Sequence, residues 1–347
     1  MQSVSVYGEE AIGDGGCGFF AAPQSKSFRA QNDSLNHNLH QNRSASMKHL
    51  FIINPAAGKR DQSPVLADAI RTLGESHGLD YAIRISRQAG DCTAITREAA
   101  ASGEEYRVYA CGGDGTLNEV VCGAAGAANL AVTHYPCGSG NDFVKNFSDP
   151  RAFAHLERLL DPEESLLDLI QVGEDYSLSI CSIGIDARIG TSIQRYKHLP
   201  LIGGKGAYNL STVVNLVQGI HRHYVVELNG RTVDGRFTLI CVCNGRYYGG
   251  GYMPVPEARP DDGKLEVLLV KKVSRLQVAK IIGKYKAGRY AEIPEIFTHF
   301  TTDRVRIRCD REEVVNLDGE ARYATDVDIR LSEKKLRFFY PRGVTLK

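Results

Sequence analysis

No apolar run in the 347-residue chain reaches the roughly 18 residues that a membrane span needs. The first 25 residues contain neither Lys nor Arg, which argues against a secretory signal. No CxxC pair occurs among the nine cysteines, Cys17, Cys92, Cys111, Cys122, Cys137, Cys181, Cys241, Cys243 and Cys309. Their number is odd and most sit in apolar stretches, so reduced, buried thiols in a cytosolic protein fit best. Cys241 and Cys243, two apart in FTLICVCNG, share one strand face, and no zinc site is expected of them. Charge of one sign is not in excess either. Lys and Arg number 42 against 41 Asp and Glu, which excludes a wholesale basic coat for nucleic acid. GxxxxGK[ST] is absent, and no GxGxxG follows the first expected strand, so neither a Walker loop nor a dinucleotide fingerprint is present.

Hydrophobic residues are 43% of the chain and charged residues 24%, enough apolar material for a sizeable core. The length suggests about two domains. Glycine, at 35 residues, is about a tenth of the chain against a usual ~7%, pointing to loops where the backbone approaches something closely. Residues 1–46 differ from the rest. They are rich in Ser, Asn and Gln, lack periodicity, and read as a disordered extension. Met47 opens MKHLFIINPAAGK as a protein's natural start would, so the preceding segment is expected to be dispensable.

From Met47 to about residue 165, short apolar runs alternate with helical stretches. Strands are expected at 49–53, 80–85, 106–111 and 130–135. Helices are expected near 64–76, 91–102, 116–123, 141–147 and 151–160. That alternation predicts a doubly wound parallel sheet with helices on both faces, and ligands at the carboxyl ends of its strands. Residues 166–347 read instead as short strands punctuated by Gly, Asn and Asp, with helices only near 205–220 and 275–287. An antiparallel β-sandwich is expected there, with a cleft between the two halves.

Three loops follow strands on one edge of the first sheet: Asn54-Pro55-Ala56-Ala57-Gly58-Lys59, Gly112-Gly113-Asp114-Gly115-Thr116-Leu117-Asn118-Glu119, and Cys137-Gly138-Ser139-Gly140-Asn141-Asp142. In the second, two glycines admit close backbone approach, and a helix start offers N–H groups and a dipole to an anion. Asp114 beside a phosphate makes sense with a cation between them, so the loop reads as a nucleotide–Mg²⁺ site. Read alone, it could equally be a glycine turn with Asp114 as a cap. Asp261-Asp262-Gly263 and the NLDGEAR segment at 316–322 could likewise be ordinary turns.

At GGDGTLNEV, residues 112–120, the sequence resembles the diacylglycerol kinase catalytic-domain family, and within it the soluble bacterial lipid kinases. The likeness runs from Met47 through the NPAAGK loop, Gly90-Asp91, GSGNDF at 138–143, SIGIDA at 182–187, the GGG and DDG segment, and LDGE at 317–320. The resemblance implies ATP-dependent phosphorylation of a lipid hydroxyl, most simply diacylglycerol to phosphatidic acid. It places the nucleotide on Asn54, Pro55, Ala56, Ala57, Gly58, Ser86, Gly112 to Asn118 and Ser139. Asp114 and Asp142 would organise Mg²⁺ and its waters. Asp318 would be the base facing the lipid hydroxyl, supported by Glu320. A second, structural metal would use the Asp262 carboxylate and the carbonyls of Arg259 and Lys264. Ala57 stands where the family usually has a hydroxyl residue; Ser86 and Ser139 stand where it usually has Thr.

Two alternatives stay open. NAD kinases share a GGDG loop, but their downstream asparagine–glutamate motif is missing here. The other is a catalytically silent nucleotide sensor. A lipid substrate without a membrane-spanning run implies a cytoplasmic protein held peripherally at the inner membrane surface. Residues 271–289 carry Lys271, Lys272, Arg275, Lys280, Lys284, Lys286 and Arg289 and no acid, which suits an anionic surface. Family members are often dimers, so a homodimer is within the expectation; nucleic acid is not.

Overall fold

The computed structural model describes residues 47–188 and 221–347. The extension at 1–46 and the helix expected near 205–220 lie outside them. Strands β1 (Lys48–Ile53), β2 (Tyr81–Ile85), β3 (Tyr106–Gly112) and β4 (Leu130–Pro136) pair in parallel in the order β2-β1-β3-β4. β1 and β3 are covered on both faces, which is why they read as continuous apolar runs instead of alternating ones. Helix α1 (Ser63–His77) turns Leu66, Ala67, Ile70 and Leu73 to this sheet. It ends where Gly78 takes φ 62°, a left-handed cap that returns its N–H to the Gly74 carbonyl. Helix α2 (Asp91–Ala101) packs beside α3 (Asp114–Ala124), which begins two residues earlier than the sequence suggests.

The stretches expected as helices after β4 are three short 3₁₀ turns, Phe143–Asn146, Pro150–Ala154 and Leu156–Leu159. Pro150 cannot continue a preceding helix, and the Asp149 side chain accepts the Arg151 N–H at the new start. What holds these turns is aromatic packing. Phe143, Phe147 and Phe153 close on Phe338 and Tyr340, with Phe147 and Phe338 stacked at 5.8 Å. Those partners lie on β15 (Leu336–Pro341), which adds parallel to β4, while β5 (Pro162–Leu167) runs antiparallel to β15 at the sheet edge. The expected division into 47–165 and 166–347 is therefore corrected. The proposed boundary cuts β5, and the last strand returns to the first sheet because its apolar face completes the aromatic cluster.

The second sheet has nine described strands: β6 (Ile170–Val172), β7 (Asp175–Ser177), β8 (Ile180–Gly184), β9 (Arg222–Leu228), β10 (Arg231–Cys243), β11 (Leu265–Lys271), β12 (Phe297–Thr302), β13 (Arg304–Leu317) and β14 (Glu320–Leu331). Its ladders are antiparallel, as expected. β8 and β9 lie end to end in one lane between β10 and β13. Residues 185–221 are inserted between them. β13 is one long strand broken by a bulge between Arg308 and Glu313. Helix α4 (Arg275–Lys286) opens with a Ser274–Gln277 capping box and covers the sheet's second apolar cluster through Ile281 and Tyr285.

Candidate active site

The three glycine loops meet at the carboxyl ends of β1, β3 and β4. Asn54 ties the first to the second. Its Nδ2 donates to Thr116 Oγ1 at 2.9 Å and its Oδ1 accepts the Ala56 N–H. The second and third loops approach most closely at two glycines: a Cβ on Gly138 would sit 2.5 Å from Gly113 Cα. The Gly112 carbonyl gathers the Cys137 N–H at 2.7 Å, the Gly138 N–H at 3.2 Å and His134 Nε2 at 3.0 Å. Burial keeps that histidine below its ordinary pKa, so it donates as the neutral tautomer. Above Gly115 there is open space.

Asp114 is the first residue of α3, and its Oδ1 accepts the Asp142 N–H at 2.5 Å. Both oxygens of buried Asp142 are engaged, one by Lys145 Nζ at 2.5 Å and the other by the Gly250 N–H at 2.6 Å. Gly250 belongs to the second half, so Asp142 also links the halves across the cleft. Asn118, one turn after Asp114, is buried with an Oδ1 that has no hydrogen-bond partner. Asp114 and Asn118 line the same cavity. An unpartnered amide oxygen and a carboxylate one helical turn apart are hard oxygen donors of the kind Mg²⁺ takes together with phosphate oxygens and waters. The residues present therefore fit that ion.

Asp318 and Gly319 form a two-residue hairpin turn with φ of 48° and 102°, closed by the Leu317–Glu320 pair. The Asp-Gly sequence suits that turn. Turn and site coincide, because the Asp318 carboxylate reaches across to β8 and accepts three backbone N–H groups: Leu178 at 2.6 Å, Ser179 at 3.0 Å and Ile180 at 2.9 Å. Desolvation nevertheless pushes its carboxyl above the ordinary range. Asp318 and Glu320 line the cavity that Asp114, Asn118 and Asp142 also line.

This cavity, of about 820 Å³, has the carboxylates and glycine loops at one end. Its remaining walls are largely apolar, with Leu239, Val270 and Phe297 from the sheet and Val278, Ile281 and Ile282 from α4. One polar chain crosses the apolar part. Tyr248 Oη lies 3.1 Å from Asp186 and 2.6 Å from Tyr285 Oη, which meets Cys241 Sγ at 2.9 Å. Burial raises the Asp186 carboxyl to about 6.

Of the other expected site residues, Pro55, Ala56, Ala57 and Gly58 form the first loop, with the Ala57 N–H on the Asn54 carbonyl. Gly58 needs its φ of 82°, since a Cβ there would lie 2.7 Å from the Cys137 carbonyl oxygen. Ser86 is buried at the end of β2, and Ser139 is exposed on the third loop. Arg259, Asp262 and Lys264 share one turn and none of them lines the cleft cavity. Asp262 accepts the Lys264 N–H, while the Arg259 guanidinium pairs with Asp261. The sequence reading passed over Asp186, Tyr248, Tyr285, Lys145 and Gly250. Three left a signal: Asp186 sits in SIGIDA, Gly250 in the GGG run, and Tyr285 follows Val278, Ile281 and Ile282 at helical spacing.

Residues 48–172 match the family model described as the diacylglycerol kinase catalytic domain, and residues 179–340 match the YegS C-terminal NAD kinase beta sandwich-like domain. A Staphylococcus carnosus protein named "Putative lipid kinase" is 27% identical over 298 residues, covering 84% of this chain and 96% of its own. A Staphylococcus epidermidis protein of the same name is 26% identical over 261 residues, covering 74% and 84%. The crystal structure of a "putative diacylglycerol kinase" from Bacillus anthracis superposes with a TM-score of 0.68 at 23% identity, over 86% of this chain and 96% of that one, which shows the shared fold. With a matching model on each side of its cleft, the chain combines a diacylglycerol kinase catalytic domain with a YegS C-terminal NAD kinase beta sandwich-like domain.

Proposed function

We propose that the protein is an ATP- and Mg²⁺-dependent lipid kinase that transfers the γ-phosphate to a lipid hydroxyl, with diacylglycerol as acceptor and phosphatidic acid as product. The observation that carries this reading is one continuous cavity with glycine loops and carboxylates at one end and apolar walls at the other. A soluble ribose acceptor would find no use for those walls, which disfavours an NAD kinase-like reaction.

The chain's residues divide the work. Backbone N–H groups at the start of α3 and on the glycine loops receive the phosphates. Asp114 and Asn118 would hold Mg²⁺, which supplies positive charge at the transferring phosphate. Asp142 fixes the two halves through Gly250. Asp318, held above its ordinary pKa yet oriented by three N–H groups, takes the proton of the lipid hydroxyl, with Glu320 beside it. Phosphoryl transfer depends mainly on positioning and charge neutralisation, so this base adds less than the loops do. A radiolabelled-ATP assay across a lipid panel tests the reading: Mg²⁺-dependent labelling of diacylglycerol is expected, and background labelling of every lipid by folded protein refutes it.

The same reading requires contact with a membrane surface, and none of the described helices is long and apolar enough to cross one. The inner face of α4 lines the cavity, while Leu276 on the same helix is 79% exposed among the basic residues. Lys284 and Arg289 share Glu292, at 3.1 and 3.5 Å, which trims the positive charge expected from the sequence. Lys271, Lys272 and Lys280 remain for an anionic bilayer.

A further inference from the structure

A second cavity, of about 500 Å³, lies where β8 gives way to β9, and it belongs to none of the groups described above. His221, Arg222, Arg236, Arg311 and Glu313 are among its lining residues. Both strands beside that junction lose register at the same level, β10 between Phe237 and Leu239 and β13 between Arg308 and Glu313. Such irregularities re-aim side chains and cluster at sites.

The charge there is unbalanced. Glu313 is buried and shared by Arg222 at 3.0 Å, Arg311 at 3.5 Å and Arg188 at 3.9 Å. His223 bridges Asp234 at 2.6 Å and Asp310 at 2.9 Å, which occupies both of those carboxylates. Arg236 makes no ion pair or side-chain hydrogen bond among the described residues, and Lys272 donates its backbone N–H to the Arg236 carbonyl. From Ala187 to Val226 the sequence contains no Asp or Glu, so that stretch brings no carboxylate of its own. Two buried polar atoms also lack partners. One is His221 Nδ1; the other is the hydroxyl of fully buried Tyr224, which faces the fields of Glu313, Arg188 and Arg222.

We propose that this cavity binds a phosphate-class oxyanion, held by guanidinium groups of Arg222, Arg236 and Arg311 with His221 beside them. Guanidinium forks match tetrahedral oxyanions. The cavity lies seven residues along β10 from Cys243, which pairs with Ile180 beside Asp318, or roughly 20 Å at the rise of a strand. It is therefore separate from the proposed transfer site. The Thr238 and Leu239 wall of the apolar cavity follows Arg236 directly along β10. Both a free phosphate and the headgroup of a phosphate-bearing lipid have the required chemistry.

The test uses the full chain with saturating Mg²⁺–ADP, so that the glycine loops are filled. Inorganic phosphate and, separately, monomeric dihexanoyl phosphatidic acid are titrated by calorimetry and by the imidazole proton signals of His221 and His223, assigned with His221→Gln. One saturable site that moves those signals is expected, weakened tenfold or more in Arg236→Gln/Arg311→Gln, two exposed positions whose loss spares the core. Binding of both probes, or of either alone, supports the site and identifies its source as general, soluble or lipidic. Absence of binding by both probes overturns it, as does equal binding by the double variant with unmoved histidine signals.

Discussion

Asp318→Asn isolates the base from the turn, and the structure changes what the substitution should do. As a turn residue, Asn is as good as Asp at positive φ. The side chain, however, accepts from Leu178 and Ser179 on one oxygen and from Ile180 on the other. Asn keeps one acceptor. With its oxygen on the Leu178–Ser179 side, its NH₂ group confronts the Ile180 N–H, donor against donor. One hydrogen bond to a charged group, worth about 1.5–3 kcal/mol, is lost. Relief of the carboxylate's desolvation offsets part of that, leaving about 2 kcal/mol. For a chain of this size each kcal/mol shifts the melting point by about 1–2 °C, so a fall of roughly 2–4 °C is expected. Transfer should fall by roughly 10²-fold or more if the carboxylate is the base. Nucleotide binding, measured by calorimetry, should persist, because no contact to the glycine loops changes. Near-normal transfer in a variant that melts lower would show that Asp318 only pins β8 to the hairpin. Unchanged melting would refute the hydrogen-bond argument itself.

Asp114→Asn keeps an oxygen for the Asp142 N–H but loses the charge, so Mg²⁺–ATP affinity should drop at least tenfold with little change in melting; calorimetry with and without Mg²⁺ checks this. Asp262→Ala should lower the melting point by a few degrees and raise the Mg²⁺ needed for activity, and a variant matching the parent on both counts at limiting Mg²⁺ removes the structural-metal assignment. Reversing Lys271, Lys272 and Lys280 to Glu should weaken sedimentation with anionic vesicles about 100-fold or more, at about 1 kcal/mol per cation; binding indifferent to anionic lipid content would exclude this face. Asp186 has a folded-state pKa of about 6 against an ordinary 3.8, so the folded state holds a proton the unfolded state releases. Its stabilising contribution is complete below about 3.8 and is lost as pH rises through about 6. Asp186→Asn should therefore melt higher than the parent at pH 7.5, by at most about 3 kcal/mol, and lose that advantage near pH 4, and a pH-independent difference would sink the assignment.

The parallel half was legible because its central strands β1 and β3 are buried on both faces and the loops after them carry glycine, so pattern and punctuation agree. What escaped were features set by distant partners. LRFFYP at the C-terminus looks like any edge strand; only the rings of Phe143, Phe147 and Phe153, nearly two hundred residues earlier, explain why it returns to β4. The carboxylates Asp114, Asp142, Asp318 and Glu320 were visible as motif members, and the fold brings all four to one cavity. Their roles were not visible. That Asp142 pairs with Lys145 and Gly250 depends on a loop a hundred residues away, and the Asp186–Tyr248–Tyr285–Cys241 chain spans four separate segments.

The returning strand also determines how the cleft can move. The chain crosses between sheets twice, at 168–169 and at 332–335, and the crossings are joined where the Ser332 N–H meets the Leu169 carbonyl at 2.8 Å. Asp168, 1% exposed, sits at that junction. Its carboxylate takes the Lys335 ammonium and the Gly263 N–H, and its own N–H reaches the Pro260 carbonyl at 2.6 Å. Asp262 lies inside the same turn, so a cation there would stiffen the crossing and leave the chemistry alone. Separating the halves as rigid bodies would unpair Asp168, and breaking a buried pair costs about 3–5 kcal/mol. The Asp142–Gly250 link adds to that cost on the opposite side. Helix α4 walls the same cavity and carries none of these ties. Its inner face touches the cavity and its outer face carries the exposed Leu276, so under the proposed function the helix offered to a membrane is also a wall of the apolar end.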